Sequence, residues 1–198
     1  WYIIDAEEGA EIIYGHKAKT KEELASLIEA GDWDGLLSKT PVKKGDFFFV
    51  PSGTMHAIGA GIMVLETQQS SDTTYRVYDF DRKDDQGNLR ELHLEKSIDV
   101  LTIGEPANSR PVTTKVDDLK STLLVASDFF AVYKWKISGK ADFEKTADYS
   151  LFSVLDGQGS LLVDDQEYPI AKGSHFILPS DVESWQIKGE LELIVSHP

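Results

Sequence analysis

The stretch "KKGDFFFVPSGTMH", Lys43–His56, decides how the rest of the chain is read. Three Phe and a Val lie between Gly45 and Pro51, and a turn at Gly53 then delivers a histidine. Gly45, Pro51, Gly53 and His56 stand at offsets 0, 6, 8 and 11, and the same frame returns 128 residues later as "GSHFILPSDVES", Gly173–Ser184. Gly173 and Pro179 are kept, Asp181 replaces Gly53 and Ser184 replaces His56. In each copy the Gly is expected to start a strand, the apolar run to fill a wall, and the Pro to end it, since Pro cannot donate to a ladder. Upstream, "AEEGAEIIY" and "DGQGSLLVD" read as one hairpin used twice, with Gly9 and Gly159 at the turn. The pattern predicts a duplicated β unit. Were His56 needed only for the bend, the second copy would need it too. Spacing alone leaves His56 as either a metal ligand or catalyst, or a polar residue of the bend.

Working outward, most of the chain reads as short strands separated by Gly, Asp and Pro turns, the signature of an antiparallel sandwich or barrel. "WYIIDAEEGAEIIYG" is expected to give two β runs around a turn, and "DFFFV", "GIMVLETQQ" and "TTYRVYDFDR" further strands. One helix interrupts the first copy. Thr20 with Glu23 forms a capping box and Leu24, Leu27 and Ile28 share a face, so a helical insertion spans about 20–38. "DRKDDQGNLRELHLEKSIDVL" carries a turn at Gln86–Asn88 and a short helix from Glu95. "IGEPANSRPVTTKVDD" has two prolines and little periodicity and reads as a linker. The expected organisation is a first barrel over 1–103, a linker over 104–118 and a second, degenerate barrel over 119–198.

Composition narrows the function classes. A formal charge of −14 argues against nucleic acid, whose phosphates the surface would repel. No apolar run approaches the ~20 residues that cross a bilayer, and no secretory leader is visible. With no cysteine there can be no disulfide, thiolate zinc site or cysteine nucleophile, which fits a reducing cytoplasm. The expectation is a cytoplasmic protein without membrane or nucleic-acid partners.

The Gly45–His56 spacing resembles the second motif of the cupin superfamily. "VPSGTMHAIGAGIMVLETQQSSDTTYRVYDFDR", Val50–Arg82, is similar almost word for word to the type I mannose-6-phosphate isomerases, in particular their short bacterial form. "LRELHLEKSIDVL" and the terminal "KGELELIVSHP" extend the likeness over essentially the whole chain. The resemblance implies an all-β fold of two cupin-like, jelly-roll barrels with the helical insertion in the first. It implies a zinc-dependent aldose–ketose isomerase that interconverts mannose 6-phosphate and fructose 6-phosphate, with a small phosphorylated sugar as substrate. Oligomeric state is left open, with a monomer favoured.

Residue by residue, His56 matches a zinc-ligand histidine and Arg76 an arginine that contacts substrate during proton transfer. Glu66 and Asp72 match acidic residues of the same pocket, so Arg76, Glu66 and Asp72 form the expected catalytic set. Moving a proton between C1 and C2 through an enediol(ate) builds negative charge on oxygen. Zn2+ polarises that oxygen, a permanently cationic Arg stabilises it, and a carboxylate can shuttle the proton. Which group is the base stays open. The family's other ligands, a Gln and a His in one motif and a Glu in another, are expected upstream of Trp1, so the chain reads as lacking an N-terminal part. No Gln-x-His-Pro occurs in it, and a catalytic zinc needs about three protein ligands.

The remaining histidines carry blander expectations: His16 solvent-facing or capping, His93 solvent-facing, His175 packed in the second wall. Lys43, Lys44 and Arg82 are the candidate phosphate binders, with a solvated turn as the plain reading of "DRKDD". The rival functions are a non-catalytic cupin that binds a sugar or sugar phosphate, and a folded but inactive fragment.

Overall fold

A computed structural model describes residues 1–198 as two compact units, Trp1–Asn108 and Ser109–Pro198.

In the first unit, β1 (Tyr2–Ala6) pairs antiparallel with β5 (Ile62–Leu65). β2 (Glu11–His16) lies between β3 (Leu37–Pro41) and β4 (His56–Ile58). The expected hairpin around Gly9 is not one, because β1 and β2 join different sheets. The turn at Gly9 (φ 78°) carries the chain from one sheet to the other. Between β2 and β3 sit α1 (Lys21–Ala30) and α2 (Trp33–Leu36). The Thr20 side chain accepts the Glu23 N–H at 3.1 Å, and Gly31 closes α1 in the left-handed region. The Gly31 and Asp32 amides then satisfy the Ile28 and Leu27 carbonyls. Leu24 and Ile28 of α1 bury against Ile13, Leu36, Met55 and Leu101. Each fully buried side chain of this kind contributes roughly 1.5–3 kcal/mol. Trp1, Ile3, Ile12 and Tyr14 form a separate cluster.

Of the strand expected from "GIMVLETQQ" only Ile62–Leu65 forms, and the one expected from "TTYRVYDFDR" does not. Regular pairing stops at Leu65, and residues 66–93 run as a loop with a single bridge, Lys83↔Leu89, around the Gln86–Asn88 turn. Phe80 and Asp81, both at positive φ, break extension, and the neighbouring Asp79 is buried. α3 (Leu94–Val100) follows, and Gly53 packs onto its C-terminal end: the Thr102 amide donates to the Gly53 carbonyl at 2.9 Å. A Cβ at Gly53, whose φ is 83°, would meet the Val100 carbonyl at 2.7 Å.

In the second unit, β6 (Val112–Val116), β7 (Leu119–Ala126), β8 (Ala131–Glu144), β9 (Ser150–Val163), β10 (Gln166–Ala171), β11 (His175–Leu178) and β12 (Ser184–His197) form one antiparallel sheet. Its order is β10-β9-β12-β8-β7-β6, with β11 also on β9. The stretch read as a linker thus holds a strand. Its Val-Thr-Thr-Lys-Val run suits a pleated edge, and Asp117 at φ 47° turns it onto β7. Gly159, expected at a turn, lies inside β9, in a row with Gly189 of β12 and Gly139 of β8. Gly139 and Gly189 adopt φ 126° and 131°, and a Cβ at Gly189 would meet Gly159 Cα at 2.6 Å. Only glycine allows the three 14-residue strands to cross so closely there. The two-residue β9–β10 turn is made by Asp164 and Asp165, both at positive φ as a tight hairpin requires.

The strand expected from "DFFFV" is reduced to the isolated bridge Tyr2↔Phe47, whereas the second copy forms β11, yet the repeated motif keeps matching main-chain bonds in both units. The Ile3 amide donates to Asp46 O and the Gly45 amide to Ile3 O, both at 2.9 Å. The Val154 amide donates to Ser174 O and the Gly173 amide to Val154 O, again at 2.9 Å. The turn after the proline repeats as well, from Thr54 N–H to Pro51 O and from Val182 N–H to Pro179 O.

Candidate functional site

His56 begins β4 opposite Tyr14 of β2, with its side chain exposed. Its Nδ1 lies 2.7 Å from the Thr54 carbonyl. A carbonyl only accepts, so Nδ1 carries the proton and Nε2 presents a free lone pair. That is how ligating imidazoles are usually oriented. The Trp1 ring meets His56 edge-on, with centroids 5.3 Å apart. The same indole donates its Nε1–H to Glu66 Oε1 at 2.8 Å. Two of the expected residues, His56 and Glu66, therefore flank one tryptophan.

The other two lie on the 66–93 loop. Asp72 is exposed. Arg76 is half-buried and turned toward the loop's own interior. Its Nη1–H donates to the Glu91 carbonyl at 3.1 Å and its Nε stands 3.9 Å from Asp79 Oδ1. Its main chain is clamped by His93, with Arg76 N–H to His93 Nδ1 at 3.1 Å and His93 N–H to Arg76 O at 2.7 Å. His93 is thus not the outward-facing residue its strand-like context suggested.

Asp79 is the residue that sequence reasoning missed. It is 6% exposed and holds Arg82 Nη2–H on Oδ1 at 2.6 Å and Arg90 Nε–H on Oδ2 at 2.7 Å. Arg90 Nη2–H reaches Oδ1 as well, completing a fork. The Arg90 hydrogen bonds, assisted by those of Arg82 and opposed by desolvation, hold the Asp79 carboxyl at about 2. Asp79 in turn raises Arg90. The available signal was the symmetric Arg-x2-Asp-x2-Arg spacing of Arg76, Asp79 and Arg82, obscured because the expected strand would have put Asp79 on the opposite face from both.

Three further side chains differ from expectation or stay plain. His16 is buried; its Nε2 lies 3.0 Å from the Thr102 carbonyl and Nδ1 has no partner. His175 is exposed, with Nδ1 2.9 Å from Ser153 Oγ. Lys43 pairs with Asp46 at 2.9 Å on the surface. No group of three or more His, Cys, Asp or Glu side chains able to hold a metal occurs in the chain. No helix is long and apolar enough to cross a membrane.

Residues 120–198 match the family model for the mannose-6-phosphate isomerase cupin domain. The whole chain is 65% identical over 197 residues to the mannose-6-phosphate isomerase of Streptococcus mutans serotype c. Over its entire length the chain is similar to mannose-6-phosphate isomerases. It is also 50% identical over 198 residues to the mannose-6-phosphate isomerase ManA of Bacillus subtilis. A crystal structure of the mannose 6-phosphate isomerase from Bacillus subtilis superimposes with a TM-score of 0.93 at 46% identity, covering 100% of this chain and 63% of that one. The all-β cupin fold expected from the motif is the fold of the chain. The chain spans 62% to 63% of the length of these mannose-6-phosphate isomerases.

Proposed function

We propose that the chain is the larger part of a mannose-6-phosphate isomerase, a zinc-dependent enzyme that interconverts mannose 6-phosphate and fructose 6-phosphate through an enediol(ate). The observation that carries this reading is 65% identity to an isomerase across the whole chain, loops included. The chemistry of the residues agrees. His56, with Nδ1 committed to the Thr54 carbonyl and Nε2 free, fits one ligand position of a zinc site. A catalytic zinc takes about three protein ligands, so the rest of the set would come from outside these 198 residues.

Zinc, when bound, supplies Lewis-acid stabilisation of the charge that develops on the sugar oxygen. Glu66, steered by the Trp1 indole N–H, is favoured over the exposed Asp72 to carry the proton between C1 and C2. Arg76, cationic at every relevant pH, would supply positive charge for the anionic oxygen or the phosphate, with its Nη1–H held on the Glu91 carbonyl.

The test is turnover of mannose 6-phosphate by the full-length protein and its Arg76→Ala variant. Loss of turnover with sugar-phosphate binding retained supports the isomerase. A wild type that binds the sugar phosphate without converting it would make the protein a binder instead. A second reading, that the 198 residues fold but do not act alone, is favoured by the lack of any three-residue metal group. Zinc per chain, measured on the 198-residue protein and on His56→Ala, checks it: about one zinc, lost in the variant, would sink that reading.

A further inference from the structure

Asp79 sets one buried carboxylate against three guanidiniums. Arg90 grips it as a fork, Arg82 donates to Oδ1 and, through Nε, to the Asp79 carbonyl at 3.2 Å, and Arg76 lies within ion-pair range. The group carries a net charge of about +2, since Arg does not deprotonate, in a chain whose formal charge is −14. Three like charges do not gather on a loop unaided. Removing a buried anion from such a group leaves its partners to repel one another. The loop has no sheet or helix of its own over 66–93 that would otherwise aim Arg76.

The Arg76 main chain is fixed separately, by its two hydrogen bonds to His93. The side chain depends on the Glu91 carbonyl and on the field of Asp79. Backbone and guanidinium are therefore controlled by different residues, and loss of Asp79 would leave the guanidinium on the Glu91 carbonyl alone while the backbone stays on His93.

We infer that Asp79 is a positioning residue: it gathers Arg82 and Arg90 into a rigid cluster and through that cluster sets the direction of the Arg76 guanidinium. The inference rests on the isomerase reading for what Arg76 then does, but the cluster itself can be judged without it. Misdirection of a charge-stabilising group by about 1 Å can cost on the order of 100-fold in rate.

The experiment uses the full-length protein with Asp79→Asn, which keeps shape and removes charge, and Asp79→Glu, which keeps charge. For mannose 6-phosphate, kcat is expected to fall about 10- to 100-fold in Asp79→Asn with KM little changed, and to recover in part in Asp79→Glu. In parallel, 15N NMR of the arginine Nε–H groups reads the cluster directly. Protected signals in the wild type should collapse to exchange-averaged ones in Asp79→Asn. A folded Asp79→Asn with kcat within about twofold of wild type overturns the inference. A wild type without turnover removes the isomerase reading, and the NMR arm then decides alone: an unchanged Arg76 Nε–H signal in Asp79→Asn overturns the positioning role, its collapse upholds it. If Asp79→Asn does not fold, Arg90→Gln replaces it. Opening the fork should lower kcat about tenfold and broaden the Arg76 signal, and no change in either overturns the inference.

Discussion

Trp1 and Phe152 occupy equivalent places in the two units, two residues before Ile3 and Val154, whose amides make matching bonds to the motif. Phe152 is 1% exposed, stacks on Phe176 at 4.8 Å and meets Trp135 and Trp185 edge-on. Trp1 instead turns one edge to His56 and its N–H to Glu66. Where the first unit continues His56-Ala57, the second continues Ser184-Trp185, and Trp185 closes the aromatic stack against Phe143. Buried polar side chains follow the same division: His16, Asp79 and Ser97 in the first unit, only Ser150 and Ser196 in the second. One backbone serves two ends. A cupin interior can be filled with rings or left to carry polar groups, and the same frame tolerates either because the motif's backbone bonds do not involve those side chains.

This contrast can be broken at several points. The largest effect is expected where the second unit is packed with rings. Phe152→Ala should cost about 3–5 kcal/mol in urea unfolding of the 198-residue chain, while the same truncation at exposed Tyr149 should stay within about 0.5 kcal/mol. Comparable losses at both positions would mean that the stack does not carry the unit.

The next effect is on activity. On the proposed zinc-ligand role of His56, His56→Ser, which copies the second motif into the first, should lower turnover of the full-length protein by about 100-fold or more. Its stability should change by less than about 0.5 kcal/mol, because the side chain is exposed. The reverse change, Ser184→His, should bind no zinc, since a zinc site takes about three protein ligands and no such group of side chains occurs in the chain. Zinc uptake by Ser184→His would show that the second copy can still assemble a metal site around a restored histidine.

A smaller effect separates the units in acid. Asp79 titrates at about 2 in the folded chain against an ordinary 3.8. Its contribution is complete above about 4 and is lost as pH falls through about 2, because only the unfolded form then binds the extra proton cheaply. Between about 4 and 2 the first unit of the wild type should therefore lose protection. Asp79→Asn, lacking the carboxylate at every pH, should show no such step, and hydrogen exchange of the His93 amide against pH reads the difference. Indistinguishable profiles for wild type and Asp79→Asn would mean that the carboxylate stabilises nothing. The mildest change is Thr20→Ala, which removes the α1 cap and should cost about 1 kcal/mol. No equivalent helix exists in the second unit, so only melting of the first should move.

Much of this was legible along the chain. Short-range chemistry wrote the α1 cap, the Gln86–Asn88 turn and the repeated Gly-x5-Pro frame, because each depends on residues within a dozen positions of one another. Short runs between Gly, Asp and Pro turns marked the second unit's strands, although Pro-rich flanks hid β6, whose Val-Thr-Thr-Lys-Val run pairs only with β7. The loop over 66–93 was read wrongly for a plain reason. Its aromatic and β-branched content suits a strand, yet burial of Asp79 with three arginines outweighs that propensity.

By itself the sequence determined the all-β class, the duplication, and His56 as the residue distinguishing the two copies. These follow from spacing and residue type, which need no third dimension. Tertiary structure alone decided that Glu66 meets His56 across Trp1, that His16 is buried, and that Arg76 belongs to an ionic cluster centred on Asp79. Arg76 and Arg82 lie only three positions from Asp79, but the contacts of Asp79 with Arg90, Trp1 with Glu66 and His16 with Thr102 join positions 11 to 86 residues apart. A charge's partner over such a distance is set by where the backbone folds and what burial costs, and no local pattern encodes it.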